Sequence, residues 1–170
     1  MKTLLFLRHA KSSWKDSTLI DHKRPLNKRG KKDAPRMGNY LKNKKLTPDL
    51  IISSSAKRAK DTSKLVAEYC GYNKDIQSSN LLYGSTTRDY LTIIGGISNK
   101  YHRVLLIGHN PVLEEVLETV TGEQIRMKTC SLVHISLPIK FWKEVKDDDT
   151  NTKGKLIDVV KVKKLNKHSS

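Results

Sequence analysis

The stretch LFLRHAKSSW, Leu5–Trp14, lies near the start of the chain and changes character abruptly in its middle. Its apolar half predicts a strand over Thr3–Leu7 that is buried on both faces. The apolar run then ends on Arg8 and His9, and small and polar residues follow. In sheets of parallel strands, ligands bind just beyond the carboxyl ends of the strands. We therefore expect these two side chains to stand at a binding edge.

Strands and helices alternate along most of the chain, a pattern typical of βαβ units. It predicts a three-layer α/β/α fold with a mostly parallel central sheet, in one domain over residues 1–170. Pro35 predicts a kink or a late start in the first helix, and Lys163–Ser170 is expected to fray. The predicted helices cover Lys28–Lys45, Lys57–Tyr69, Thr87–Ser98 and Pro111–Val120, the further strands cover Asp49–Ser53, Ile76–Ser79, Val104–Ile107, Leu132–Leu137 and Leu156–Val162, and a charged loop covers Lys146–Lys155.

The chain is strongly basic. Its 170 residues include 33 Lys and Arg against 17 Asp and Glu, which gives a net charge of 33 − 17 = +16. Such an excess attracts anions, whether nucleic acid, a membrane surface, an acidic protein or a phosphorylated small molecule. Many of the lysines fall on predicted helix faces, where most are expected to be solvated. The charge alone does not choose among these partners.

Two cysteines, Cys70 and Cys130, lie far apart in a spacing that fits neither a disulfide framework nor a metal site. This usage is typical of the reducing cytosol. The apolar start of the chain is broken by Arg8 before it reaches the length of a signal peptide. No segment approaches the roughly 20 apolar residues of a membrane helix. We therefore predict a cytoplasmic protein without a membrane partner.

Two further segments repeat the pattern of a buried strand that ends in a basic or polar group. LIISSSAKRAKDT places Arg58 in the first turn of a helix, and VLLIGHNP ends at His109. Arginine presents a planar fork of donors that fits phosphate oxygens. Asn110 is predicted to cap the next helix, whose N-terminus would also favour an anion. Together these groups predict a phosphate pocket at one edge of the sheet.

A histidine in such a pocket can do more than bind. Neutral imidazole is a nucleophile that can form a covalent phosphohistidine intermediate. Neighbouring positive charges lower the pKa of a histidine and keep it neutral near pH 7. His9 is therefore a candidate nucleophile, with arginines and His109 placed to stabilise the transferred phosphoryl group.

These motifs, LRHAKSSW with RPLNKRG, SSSAKRAKDT and VLLIGHN, resemble the phosphoglycerate mutase-like histidine phosphatase superfamily and, within it, the SixA-like phosphohistidine phosphatases. The resemblance covers residues 1 to about 120. It implies no metal and no organic cofactor, and it implies no helical cap domain, because the chain between the second and third motifs is short. The implied nucleophile is His9, and the implied phosphate-binding residues are Arg8, Arg58, His109 and, in the motif RPL, Arg24.

Many members of this superfamily carry a glutamate after the third strand as a general acid, and this chain does not. The region reads LLYGSTTRD, where Asp89 is the nearest carboxylate. Phosphoester cleavage needs a positioned acid because an alkoxide leaves, whereas a protonated imidazole leaves far more easily. The absence therefore favours a phosphohistidine substrate, although Asp21 or His22 remains an alternative proton donor.

Three functions are open at this point. The first is a phosphatase for phosphohistidine on a protein, which an open site without a cap would admit. The second is a phosphomonoesterase for a small metabolite or nucleotide. The third is a basic nucleic-acid-binding protein without activity, which the sparse aromatic residues disfavour.

Arg24 has an alternative as a surface partner of Asp21, and Thr62 is expected to orient Arg58 from one turn away. The sequence does not indicate an oligomeric state.

Overall fold

The computed structural model describes residues 1–145 and 153–165, which form one six-stranded sheet with helices on both faces. A short 3₁₀ helix, Asp21–Lys23, precedes the first α-helix. Strands β1 to β6 cover Lys2–Arg8, Leu50–Ser54, Gln77–Ser79, Arg103–Gly108, Leu132–Leu137 and Lys155–Val160, and helices α1 to α5 cover Lys28–Asn43, Lys57–Cys70, Thr87–Gly95, Val112–Thr121 and Val162–Leu165.

The strand order is β3-β2-β4-β1-β5-β6. Strands β1 to β4 pair in parallel, whereas β5 is antiparallel to both of its neighbours. The prediction of a mostly parallel sheet between helical layers is confirmed. Because Arg8 pairs with Gly108 and Ser53 with Ile107, the carboxyl ends of β1, β2 and β4 meet at one edge.

The two helical layers pack on opposite faces of the sheet, and alternate residues of β1 serve each layer. Leu5 and Leu7 face the core with α1 and α2, while Leu4 and Phe6 face the core with α3 and α4. All four side chains are fully buried. This two-sided burial explains why β1 is a continuous apolar run rather than an alternating one. Among the described residues, no helix is long and apolar enough to cross a membrane.

The helix predictions need two corrections. Helix α1 begins at Lys28 despite Pro35 in its interior, so the expected late start is wrong. Proline removes its own N–H and crowds the carbonyl one turn earlier, but the buried apolar face of the helix holds the turn in place. Helix α3 ends at Gly95 rather than Ser98, because the next residue, Gly96, forms its C-terminal cap and bonds back to Thr92 and Ile93.

The end of the chain also differs from prediction. The last strand stops at Val160, and Val162–Leu165 forms the short helix α5, which packs on α1. Residues 163–165 are helical rather than frayed. The burial of Val162 in the core that α1 and α2 share holds this helix in place. Most of the predicted charged loop and the remaining tail lie outside the described residues. No further domain lies between Arg58 and His109, a stretch that is described in full.

Helices α1 and α2 approach closely at Gly38. A Cβ atom there would lie 2.7 Å from Tyr69 Cβ and 2.8 Å from the Val66 carbonyl oxygen. We expect Gly38→Ala to lower the free energy of unfolding by about 1–3 kcal/mol, because the helices must separate. Urea unfolding measures this, with Gly96→Ala as the control, since a Cβ at that position meets only ordinary contacts from 3.4 Å outward. Equal effects in both variants would contradict the close packing.

Candidate active site

The ends of three neighbouring strands build the candidate site. His9 follows β1, Ser54 ends β2 and His109 follows β4. The two histidine rings lie side by side, with centroids 5.0 Å apart and planes tilted by 51°. Only 7% of His9 and 9% of His109 is exposed. The structure thus brings together two histidines that are 100 residues apart in the chain.

His9 is held in one tautomer by the backbone. Its Nδ1 lies 2.7 Å from the Ala10 carbonyl oxygen, and because a carbonyl only accepts, Nδ1 carries the proton. The lone pair therefore resides on Nε2. The Ala10 N–H donates to Thr62 Oγ1 at 2.9 Å, and the Thr62 hydroxyl donates to the Arg58 carbonyl at 2.7 Å. Thr62 thus ties the segment after His9 to the helical turn of Arg58, which extends its predicted role.

His9 is neutral well below pH 7. Burial is the main cause that lowers its pKa, to about 4, and the charges of Arg58, Arg8 and Arg24 lower it further against the opposing hydrogen bond to Ala10. The nitrogen that is free of the backbone is therefore a lone-pair donor throughout the physiological range. This is the protonation state that a nucleophile needs.

His109 is held by a residue that the sequence analysis did not single out. Its Nε2 lies 2.7 Å from Ser54 Oγ, which also accepts from the Ala56 N–H at 3.2 Å. Its Nδ1 is buried and has no hydrogen-bond partner among the described residues. Burial first, and then the charges of His9 and Arg58, lower the pKa of His109 to about 3.

Asp21 gathers two of the predicted phosphate-binding arginines. Arg58 Nη1 donates to the Asp21 carbonyl at 2.9 Å and Nη2 to Oδ2 at 3.0 Å, while Arg24 Nη2 lies 3.1 Å from Oδ1. The Tyr83 hydroxyl also donates to Oδ2, at 2.7 Å. Partial burial opposes ionisation, but the hydrogen bonds from Tyr83, Arg58 and Arg24 outweigh it and lower the pKa of Asp21 to about 2. We call this arrangement the Asp21 clamp.

Arg24 has a second set of contacts that fixes its position. Its Nη1 donates to Ser12 Oγ at 2.7 Å, and its guanidinium lies 3.5 Å from the ring centroid of Trp14. The predicted pairing of Arg24 with Asp21 is present in the structure. Arg24 is buried, whereas Trp14 is 72% exposed. The stacked ring thus covers the guanidinium on the solvent side.

Arg8 is anchored on the other side of the site, by a loop that the sequence analysis did not connect with it. Its Nη1 donates to the Met127 carbonyl at 3.0 Å, and its Nε is buried without a partner among the described residues. Burial lowers the pKa of Arg8, while the charge of Glu114 opposes that shift. Glu114 thus places a carboxylate near Arg8 in the first turn of α4.

The prediction that Asn110 caps α4 is wrong. The helix begins at Val112 with Pro111 at the cap position, after a cis Asn110–Pro111 bond. The Asn110 amide instead donates to the Met127 carbonyl at 2.8 Å and to Glu114 Oε2 at 3.2 Å. The side chain therefore connects the loop that anchors Arg8 to a carboxylate in the first turn of α4, and it does not cap the helix. The first turn of α4 carries two carboxylates, those of Glu114 and Glu115.

The remaining candidates lie around this centre. His22 Nε2 lies 2.9 Å from Ser55 Oγ, and its ring meets Tyr83 edge-on at 4.7 Å. Tyr83 in turn lies 5.7 Å from the His109 ring. Asp89 sits in a capping box with Thr86 at the start of α3. Among residues 1–145 and 153–165, no three His, Cys, Asp or Glu side chains form a metal-ligand cluster.

The arrangement combines the lone pair of His9 Nε2 with guanidinium groups that are held by fixed contacts. The charges of Arg58, Arg8 and Arg24 act on His9, and the His109 ring lies beside it. Guanidinium groups are donors that suit the oxygens of a tetrahedral anion. Fold and site together define a phosphoryl-binding α/β protein with a paired-histidine centre. The sequence model of the histidine phosphatase superfamily (branch 1) matches residues 4–82.

Relatives and solved structures agree with this class. An uncharacterised chloroplastic protein of Arabidopsis thaliana is 32% identical over 84% of this chain and 70% of its own length. A SixA protein of Agrobacterium tumefaciens, provisionally assigned as a phosphohistidine phosphatase, is 26% identical with a TM-score of 0.78 over 94% of this chain and 98% of its own. The protein histidine phosphatase SixA solved with tungstate shares the fold at 18% identity, with a TM-score of 0.82 over 96% and 99% of the two chains. The chain belongs to the histidine phosphatase superfamily and is SixA-like.

The depressed pKa values predict how stability depends on pH. Since His9 stays neutral in the fold to about pH 4, while an unfolded histidine titrates near 6.5, the unfolded chain binds more protons between these values. The free energy of unfolding should therefore rise with pH across this window and level off above it. We expect His9→Gln to reduce that slope by up to about 1.4 kcal/mol per pH unit. Urea unfolding from pH 4.5 to 8 measures the slope in both proteins. The same slope in His9→Gln and in the native chain would show that the pKa of His9 is not lowered in the folded protein.

Thr62 offers a second prediction. Thr62→Val leaves the buried Ala10 N–H without its acceptor, at a cost of about 1–3 kcal/mol in the free energy of unfolding. Because His9 precedes Ala10, phosphatase kcat/KM should also fall, by about tenfold to a hundredfold. Thr62→Ser keeps the hydroxyl and should retain most of the activity. Phosphate release by the two folded variants compares them, and equal activity would contradict a positioning role.

Proposed function

We propose that this chain, acting as one domain, is a metal-independent phosphatase that removes phosphate from phosphohistidine on a protein through a covalent intermediate on His9. The observation that carries the proposal is the free Nε2 lone pair of His9, fixed beside His109 by the proton on Nδ1. The guanidinium groups of Arg8 and Arg58, with Arg24 beside them, would supply the charge that a phosphoryl group needs. Their role is compatible with the tungstate, a tetrahedral oxyanion, in the solved protein histidine phosphatase SixA.

The proposed reaction has two displacements. His9 Nε2 attacks phosphorus, an N–P bond forms on His9, and the P–N bond of the substrate breaks, so that the substrate imidazole leaves with its ring proton. Water then attacks the phosphorus of phosphorylated His9, and the N–P bond breaks with its electron pair returning to Nε2. Both protons of the water stay on the phosphate product, which exchanges them with solvent. The products are inorganic phosphate and free His9. In both steps the donors act on the equatorial oxygens of the transferred group.

The protonation and hydrogen bonding of Asp21 and Asp89 support a substrate with an easily expelled leaving group. Asp21 is ionised, with its pKa at about 2, and its oxygens are occupied by Arg58, Arg24 and Tyr83. Asp89 is bound within its capping box. Neither carboxyl is therefore placed to protonate an alkoxide. A protonated phosphohistidine needs no such acid, whereas a phosphoester does.

The alternative is a phosphomonoesterase for a small metabolite or nucleotide, and Glu114 is the observation in its favour. This carboxylate lies close enough to Arg8 to influence its pKa. In that case Glu114 or His22 would protonate the leaving oxygen. A non-catalytic nucleic-acid-binding role is a third, weaker candidate, because His9, Arg8, Arg58 and His109 are all present. The cytoplasm stays a prediction, since the Arabidopsis thaliana relative is chloroplastic.

Phosphate release without added metal tests the proposal. We expect the native chain to prefer a phosphohistidine protein strongly over an aryl phosphate, and His9→Ala to lower both rates by at least about a thousandfold. His102→Ala, which changes an exposed histidine at the opposite edge of the sheet, is the matched control. Preference for the ester would favour the phosphomonoesterase and direct attention to Glu114 and His22. Release that does not depend on His9 would contradict the covalent mechanism.

A further inference from the structure

A groove of about 240 Å³ lies outside the candidate active site, along the exposed face of α2. Its wall nearest the site is formed by His22 and Ser55, which contact each other at 2.9 Å. Ser55 directly follows Ser54, the partner of His109, and His22 directly follows Asp21. The rest of the lining consists of Lys23, Lys57, Lys60, Asp61 and Lys64. We call this feature the lysine groove.

The lysine groove carries an unbalanced positive charge, with four lysines against one aspartate. Asp61 is already paired, since its Oδ2 lies 3.4 Å from Lys57 Nζ. Lys23, Lys60 and Lys64 are exposed and, within residues 1–145 and 153–165, have no carboxylate at ion-pair distance. Three cations in one concave surface repel one another and attract an anionic occupant.

The spacing of the lysines indicates an extended occupant. Lys57, Lys60 and Lys64 follow the i, i+3, i+7 spacing of one helix face and span about 10 Å along the axis. One phosphate group is too small to contact the whole row. A run of carboxylates on a helix or an extended segment has the matching length. The lining residues include no Phe, Tyr or Trp on which nucleobases would stack, which favours an acidic protein segment over a nucleic acid.

We propose that the lysine groove docks an acidic segment of the substrate protein, beside its phosphohistidine. This inference rests on the proposed function and names the feature that the enzyme recognises in its partner. A segment in the groove would end at the His22–Ser55 wall, next to the histidine pair and Arg58. Charge pairing in the lysine groove raises the rate at which enzyme and substrate protein associate. It also selects substrate proteins with acidic residues near the phosphohistidine.

Two synthetic phosphohistidine peptides test the docking surface, one with three glutamates at helical spacing and one with glutamines in their place. We expect native kcat/KM at low salt to be about tenfold higher for the glutamate peptide, because each exposed ion pair contributes only modestly and three of them act together. The doubly charge-reversed variant Lys60→Glu, Lys64→Glu should lose this preference, while its kcat/KM for an aryl phosphate stays within twofold of native.

The matched control is Lys42→Glu, Lys44→Glu. These exposed lysines lie at the end of α1, next to Lys45, whose carbonyl accepts from Arg103 at the opposite edge of the sheet. Both double variants change the net charge equally and differ only in where the charges lie. If the lysine groove docks the peptide, only the control keeps the preference for the glutamate peptide. Loss of the preference in both, or no preference in the native chain, would overturn the docking surface. So would a single-stranded oligonucleotide that competes better than the glutamate peptide. Failure of the native chain on every substrate, aryl phosphate included, would instead refute the proposed function.

Discussion

The candidate site depends on the parallel pairing of β1 with β4. Arg8 lies opposite Gly108, and the His9 N–H donates to the Gly108 carbonyl at 3.1 Å. His9 and His109 therefore follow their strands at equivalent positions along the sheet edge. Gly108 has no side chain because the Tyr90 hydroxyl occupies the place of a Cβ. The two rings approach to 5.0 Å at the ends of two central strands whose apolar residues are fully buried. A shift of register by one residue would turn either ring away from the other.

The Asp21 clamp gives the site a defined arrangement before any substrate binds. A carboxylate beside Arg58 and Arg24 weakens the field that a phosphate would meet in the proposed site, but it fixes both guanidinium groups in place. Fixed donors act on a transition state without having to reorganise, which is where electrostatic catalysis is most effective. The short 3₁₀ helix that carries Asp21 thus positions Arg24, which directly follows it, and Arg58 from a distant segment of the chain. His22, on the same helix, connects this arrangement to the lysine groove.

Much of the fold follows from the sequence because its strands are buried on both faces and its helices are amphipathic. The motifs at the strand ends also predict the convergence of His9, Arg8, Arg58 and His109 on one edge, since parallel strands share that edge. The contacts that hold these residues are harder to predict. Ser54 contacts His109 and Met127 accepts from Arg8, and no local sequence pattern predicts either tertiary contact. Met127 contributes only its backbone carbonyl, which is the same in every residue type. Asn110 followed by proline is typical of a helix start, yet tertiary contacts with the Met127 loop determine its side-chain partners.

The central claim is that His9 Nε2 accepts the phosphoryl group. The most direct measurement is to mix the enzyme with a phosphohistidine protein, stop the reaction in alkali within one turnover, where N–P bonds survive, and locate the phosphate by mass spectrometry of the peptides. We expect a phosphoramidate on His9 that forms and decays at rates compatible with turnover and is absent in His9→Ala. Phosphate on another residue, or full turnover with no phosphorylated enzyme at any time, would contradict it.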